Sequence, residues 1–352
     1  MTHTITYKFR VKDASCHKNL EKMAGSVNLV WNYCNETSAF AWKRDNRFLS
    51  GFDLNYLTAG SAKDLGLSSQ TIQSIGETHA KNRSQFKMKK LKWRSAKKSL
   101  GWIPFKRQDI RIENDNVVYR KKRFRIWKSR DLPGKIRTGC FVQDARRRWY
   151  VCFVCDAPDV EQTKTGTSIG IDLGFKTQIT CSDGIKYERE NLTRHYEKKL
   201  AIAQRANQKR RVRNIHARIK NKRADFNHKA STEIAKRHES ITVGNVSSKA
   251  MIKRGKGWAK SATDSGWFQF KEMLRYKASR HGVFFSEVNE AWSTVTCSDC
   301  GSRTGPSGLG ALGVRVWNCS NCGSSHDRDV NAAMNIKHLG QGIDLCSGIS
   351  TI

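Results

Sequence analysis

The chain opens on an alternation in which Ile5, Tyr7, Phe9 and Val11 are separated by polar residues, the two-residue period of a half-buried strand. The period then lengthens. Leu20, Met23, Val27, Val30 and Cys34 recur at steps of three and four, which predicts a helix, and a second helical stretch covers roughly residues 69–90. From Trp102 to Cys155 the strand period returns: residues 109–119 read as a hairpin closed by a polar turn, and Trp149 to Cys155 as a buried strand. This order predicts a basic β-barrel with helices inserted between its first and second strands.

A polar linker over residues 161–167 separates this half from a second pattern. A strand runs from Ser168 to Gly174, and a hairpin follows that turns at Asp183-Gly184, which makes Asp183 a turn residue. Residues 196–238 contain neither Pro nor Gly and read as one long helix or a helical hairpin. A strand over 240–246, a helix around Trp267 to His281 and a strand over 282–290 complete the pattern. No internal repeat interrupts it, and the residues after Leu339 read as a tail.

Charge changes the picture. The 65 Lys and Arg outnumber the 31 Asp and Glu, leaving a net charge of +34, whose self-repulsion opposes folding unless a polyanion neutralises it. Nucleic acid is the expected partner. A membrane surface is not, because the basic residues run through the whole chain and no run of 18 apolar residues exists. Arg205, Lys209, Arg210, Arg211, Arg213, Arg218, Lys220, Lys222 and Arg223 crowd the long helical stretch with few acids to pair against, and are expected on a nucleic-acid backbone. With no basic and apolar leader at the N-terminus, the expected location is the cytoplasm, on the nucleoid when bound to DNA.

In a reducing compartment eleven cysteines imply metal ligation where they cluster, not a disulfide framework. Cys297-x-x-Cys300 and Cys319-x-x-Cys322, 18 residues apart, have the spacing of a four-thiolate zinc ribbon, and Gly301 and Gly323 follow the two pairs. Four ligands fill a tetrahedron, so this Zn2+ is expected to be structural. Cys152 and Cys155 also read CxxC, but in a strand they point to opposite faces and are expected to be structural cysteines.

The remaining chemistry lies in carboxylates. Asp172 ends an apolar strand between Gly170 and Gly174, where small neighbours leave room for a metal and a phosphate. His326-Asp-Arg-Asp-Val-Asn-Ala-Ala follows the last zinc pair, and Asp327 or Asp329 could equally cap the helix begun there. Carboxylates converging on one point repel unless a cation sits between them, and hard oxygen ligands select Mg2+ or Mn2+. Two such ions about 3.5–4 Å apart activate water for phosphodiester cleavage.

Gly-Ile-Asp172-Leu-Gly, the run Ser293-Thr-Val-Thr-Cys-Ser-Asp-Cys-Gly and His-Asp-Arg-Asp329-Val-Asn-Ala-Ala together resemble the signature set of the transposon-encoded TnpB family, over about residues 165–337. The resemblance implies an RNA-guided double-stranded DNA endonuclease, with guide RNA and target DNA as partners and an Asp, Glu, Asp site. It implies an α/β and β multi-domain fold: a wedge-like barrel (1–15 and 101–160), a helical recognition insertion (16–100), a ribonuclease-H-like RuvC domain (165–296 and 325–340), an inserted zinc ribbon (297–324) and a flexible tail (341–352). Asp172 and Asp329 match the first and third acids. Gly244 stands where the second belongs.

Two expectations follow from that gap. Either Glu290 supplies the acid from the neighbouring strand, with Glu287 as the alternative, and Gly244 leaves it space; or the site is inactive and the protein is an RNA-guided repressor. A transposase using a nucleophilic Tyr beside a histidine-bound metal finds no matching residues, and a simple zinc-ribbon DNA-binding protein leaves Asp172 unexplained. The oligomeric state, the guide sequence and the target-adjacent motif are not written in these patterns.

Overall fold

The computed structural model describes residues 3–12, 14–157, 166–253, 256–308 and 310–342. The chain divides into two compact units, Met1–Pro158 and Asp159–Ile352. Most of the expected tail, and the expected linker up to residue 165, lie outside the described residues.

In the first unit β1 (His3–Arg10) leads into the helices α1 (Ala14–Asp45), α2 (Gly51–Leu57), α3 (Ala62–Leu65) and α4 (Ser69–Gln85). The strands β2 (Trp102–Lys106), β3 (Ile110–Glu113), β4 (Asn116–Tyr119), β5 (Lys122–Arg125), β6 (Ile136–Gln143) and β7 (Trp149–Ala157) follow. They form a four-stranded antiparallel sheet in the order β1-β7-β6-β2 and a three-stranded meander β3-β4-β5. The alternation read from the sequence is the reason for one shared core: Phe9, Phe105, Phe124, Phe141 and Phe153 are all at most 2% exposed. A bridge between Val11 and Ile126 joins the two sheets. The helix expected over 69–90 stops at Gln85, because Lys87 takes a left-handed φ of 50°. Cys152 sits opposite Cys140 in the β6/β7 ladder and Cys155 is fully buried; neither belongs to a metal-ligand cluster among the described residues.

The second unit is built on β8 (Ser168–Asp172), β9 (Ile179–Cys181) and β10 (Lys186–Tyr187), then α5 (Leu192–Arg205) and α6 (Lys209–Arg237). After these come β11 (Ser240–Gly244), α7 (Ser248–Lys253), α8 (Lys256–Ser265), α9 (Trp267–Arg280) and β12 (Phe284–Val288). The strands β13 (Val316–Asn318) and β14 (Ser325–Asp327) and the helix α10 (Arg328–Gly340) close it. The main sheet has the order β10-β9-β8-β11-β12, antiparallel through its first three strands and parallel from β8 to β12. Strands buried on both faces read as apolar runs, which is why Ile169, Ile171, Ile241 and Val243 are each at most 2% exposed. The basic stretch is a helical hairpin. It breaks at Asn207, whose φ of 49° is one that Asn tolerates better than other side chains.

Helix α10 crosses the face of this sheet. At Gly170 an added Cβ would collide with the Ala333 carbonyl and the Lys337 backbone, so only glycine in β8 lets the helix lie this close.

Candidate metal centres

The first centre is assembled by topology. Parallel strands deliver their carboxyl ends to one edge, and residues there face a common crevice. Asp172 is the last residue of β8, Gly244 the last of β11, and Glu290 lies two residues beyond β12. The ladder pairs Ile171 with Val243 and Gly244 with Val288, which brings these three ends level. Asp329 enters from the first turn of α10. The capping ambiguity between the two aspartates resolves by geometry: Asp327 is the N-cap, accepting from the amides of Asp329 and Val330 at 3.1 and 3.0 Å, and this leaves the Asp329 carboxylate free of that role.

The electrostatics of Asp172 report its neighbours. Its carboxyl is pushed up to about 7, first by burial and then by the charges of Glu290 and Asp329. Burial also raises Glu290, opposed by a backbone hydrogen bond from Val246 and by the charge of Lys271. Its Oε2 is buried with no hydrogen-bond partner among the described residues. A buried, unsatisfied carboxylate oxygen beside two further carboxylates is a donor set that a divalent cation completes. Arg315 donates to both oxygens of Asp329 at 3.3 Å.

Gly244 and Glu290 share one volume. A Cβ at residue 244 would fall onto Glu290 Oε2, with Glu290 Cβ at 3.2 Å and Cδ at 3.3 Å. The side chain of Glu290 thus occupies the space that a side chain on β11 would fill. Glu287 is engaged elsewhere: its carboxylate accepts from Lys271 at 2.8 Å and pairs with Arg275, both on α9. The three acids are more widely spread than the sulfurs described below, and do not all bring an oxygen within 4.8 Å of one another.

The second centre is tighter. Cys297, Cys300, Cys319 and Cys322 hold their sulfurs within 4.8 Å of one another, with Cys297 3.7 Å from Cys322 and Cys300 3.6 Å from Cys319. Sulfurs about 2.3 Å from a central zinc stand about 3.8 Å apart at the corners of a tetrahedron, so these residues fit Zn2+. The two knuckles are copies of one turn. In each, the glycine amide donates to the first cysteine's carbonyl at 2.9 Å, and Gly301 and Gly323 adopt φ of 74° and 76°. The thiol of Cys300 is drawn down to about 5 by the hydroxyl and amide of Ser302 and by Asn321, and that of Cys319 is lowered by Thr304. His326 places Nε2 3.0 Å from Cys297 Sγ.

The basic hairpin α5/α6 presents Arg205, Lys209, Arg210, Arg211, Arg213, Arg218, Lys220 and Lys222 as exposed side chains. Arg223 is half-buried and donates to the Thr263 carbonyl at 2.8 Å, and Lys222 lies 3.6 Å from Glu190. Arg223 therefore braces the hairpin against α8. Arg315, the contact of His326 with Cys297 and the asparagines of α10 are functional neighbours the sequence did not reveal, whereas the Asp327 cap was one of its two candidates. Only the Asn331-x-x-x-Asn335 spacing carried a signal, since side chains four apart share a helix face.

Among known proteins, residues 267–336 match the family of Cas12f1-like TNB domains, and residues 152–255 match a family described as probable transposase. A Streptomyces pristinaespiralis protein, named as a candidate RNA-guided DNA endonuclease, is 28% identical over 97% of this chain and 90% of its own length. Escherichia coli InsQ, named likewise, is 27% identical over 68% of this chain and 66% of its own length. In fold, the chain is similar to a protein solved as a Cas12f1-sgRNA-target DNA complex, with a TM-score of 0.61 at 13% identity, covering 96% of this chain and 99% of the other. No described helix is long and apolar enough to cross a membrane.

Proposed function

We infer that this chain is an RNA-guided DNA endonuclease of the TnpB family, in which Asp172, Glu290 and Asp329 hold the divalent ions that cut the phosphodiester. The observation that carries this reading is the shared volume of Gly244 and Glu290. A glycine where the second acid is expected, filled from the neighbouring strand end by a buried glutamate with an unpartnered oxygen, supports a relocated ligand more than a lost one. Likeness to relatives named as RNA-guided DNA endonucleases supports the activity, and the two stretches matched to families together span the strands β8 to β12 and the ribbon.

The ribonuclease-H-like reading of the second unit rests on the order of its five strands, and the barrel reading of the first on the bridge that joins its two sheets. Asp172, Glu290 and Asp329 would hold Mg2+ or Mn2+, which would lend water activation and charge neutralisation to phosphodiester cleavage. The chain's part is to fix the carboxylates. Asp172 is held by the end of β8, Asp329 by a capped helix and Glu290 by the turn after β12. Arg315 sets a cation beside the Asp329 carboxylate, a group suited to a phosphate. Zn2+ on the four cysteines folds the ribbon, and the exposed bases of α5 and α6 contact nucleic-acid backbone, guide RNA first among the candidates.

The test is cleavage of a plasmid matching RNA that copurifies with the protein. Asp172→Ala, Asp329→Ala and Glu290→Ala are each expected to lose cutting by at least about a hundredfold while retaining target binding, and Glu287→Ala to cut within a few-fold of the parent. A parent that binds its target in Mg2+ yet never cuts would replace the nuclease reading with the repressor.

A further inference from the structure

The segment between Glu290 and the first zinc ligand is a series of turns and has no strand to hold it. It is held by two buried amides. Asn331 and Asn335, 1% and 5% exposed, lie four residues apart on α10 and both reach back to this segment. Asn335 Nδ2 donates to the carbonyls of Ser293 and Thr296 at 2.8 and 2.7 Å, and Asn331 Nδ2 to the same two at 3.2 and 2.8 Å. Asn331 Oδ1 accepts in turn from the Ser298 amide at 2.9 Å.

These hydrogen bonds form a chain. The amide of Ser293 donates to the carbonyl of Glu290 at 3.1 Å, so the Asn335 side chain is one peptide removed from the backbone of the glutamate. Thr296 immediately precedes Cys297, whose sulfur meets His326 at 3.0 Å, just ahead of the Asp327 cap. The turn itself stores strain, because Trp292 takes a left-handed φ of 69° and needs its surroundings to keep it there.

We propose that Asn331 and Asn335 are positioning residues that lock the Glu290 turn and the root of the zinc ribbon onto the helix carrying Asp329, so that the ribbon's seating sets how tightly the carboxylates hold divalent ions. The proposal rests on the reading of Asp172, Glu290 and Asp329 as metal ligands. Neither asparagine touches the reacting atoms. Each removes freedom from a ligand, and taking away such support weakens metal affinity by about 10- to 100-fold.

The experiment uses the full-length, zinc-loaded chain. Mn2+ binding is followed by the electron paramagnetic resonance signal of free Mn2+, with Asp172→Ala defining the site. The Mg2+ dependence of plasmid cutting is measured in parallel on the guide-loaded complex. Asn335→Asp keeps the shape of the side chain and removes its donors; Asn335→Ser removes the amide without adding charge and serves where the first variant fails to fold. The expected result is an Mn2+ affinity about tenfold weaker, a matching rise in half-saturating Mg2+, a maximal rate recovered at high Mg2+ and one zinc per chain. Affinity within about twofold of the parent, or a maximal rate lost at unchanged affinity, overturns the proposal. If Asp172→Ala binds Mn2+ as the parent does, the carboxylate reading itself fails and the proposal falls with it, a result visible before any asparagine variant is made.

Discussion

At the scale of single residues, the decisive pair is Gly244 and Glu290. Because a Cβ at 244 would strike the glutamate's oxygen, Gly244→Ala is expected to displace Glu290 and reduce cutting, and Glu290→Ala to abolish it. The double variant Gly244→Glu with Glu290→Ala moves the acid back onto β11 and is expected to recover part of the cutting that Glu290→Ala loses. A double variant as inert as Glu290→Ala would refute the exchange of positions. Asp172 adds a dependence on pH. Its carboxyl is raised from 3.8 to about 7, so between those values the metal-free folded chain binds more protons than the unfolded one. That contribution to stability is fully present below about pH 4 and is lost as pH rises through about 7. Thermal melts of metal-free protein should therefore fall across this window, Asp172→Asn should flatten the fall, and Mg2+ should stabilise more as pH rises, because the ion displaces the proton. An equal slope in Asp172→Asn would assign the effect to another group.

At the scale of elements, α6 is the clearest case of a segment shaped by its partner. Isolated, it carries like charges along its length, which disfavours a helix by repulsion between residues three and four apart. Its C-terminal half is anchored through Asn227, Ala230, Ser231 and Ile234, and there Lys277 of α9 donates to His228 O, Ser231 Oγ and Thr232 Oγ1, each at 2.7 Å, while Ile215 and Ile219 of its N-terminal half pack against Leu192 and Tyr196 of α5. The N-terminal half projects its bases outward. Replacing Lys209, Arg210, Arg211 and Arg213 with Gln is expected to weaken RNA binding and to reduce the slope of log affinity against log salt by about 0.7–0.9 for each phosphate no longer neutralised. The same replacement of Arg223 should instead loosen the hairpin from α8, read as lower thermal stability with little change in that slope. An unchanged slope in the fourfold variant would remove this face from the interface.

Across the whole molecule, what the sequence could express was whatever depends on period and spacing. Strands buried on one or both faces, the α1 and α9 helices and the four cysteines all follow local rules, and they stand in the structure as elements at or near their expected places. What it expressed less well depends on backbone detail or on meetings between distant segments. The end of α4 is set by a left-handed lysine, the break between α5 and α6 by a left-handed asparagine, and the division of labour between Asp327 and Asp329 by which carboxylate meets two free amides. The grip of Asn331 and Asn335 on a loop some forty residues earlier leaves only their four-residue spacing as a trace.

The exchange at the strand ends also bears on how such chains are sorted. Scored column by column, a glycine in place of an acid registers as damage, and the glutamate that replaces it registers as noise in a stretch of no repute. Scored by the atoms that fill the crevice at the strand ends, a carboxylate still occupies the space beside Gly244. Chains set aside as decayed copies because one acid has vanished from its usual line of text should be recounted by what fills that crevice.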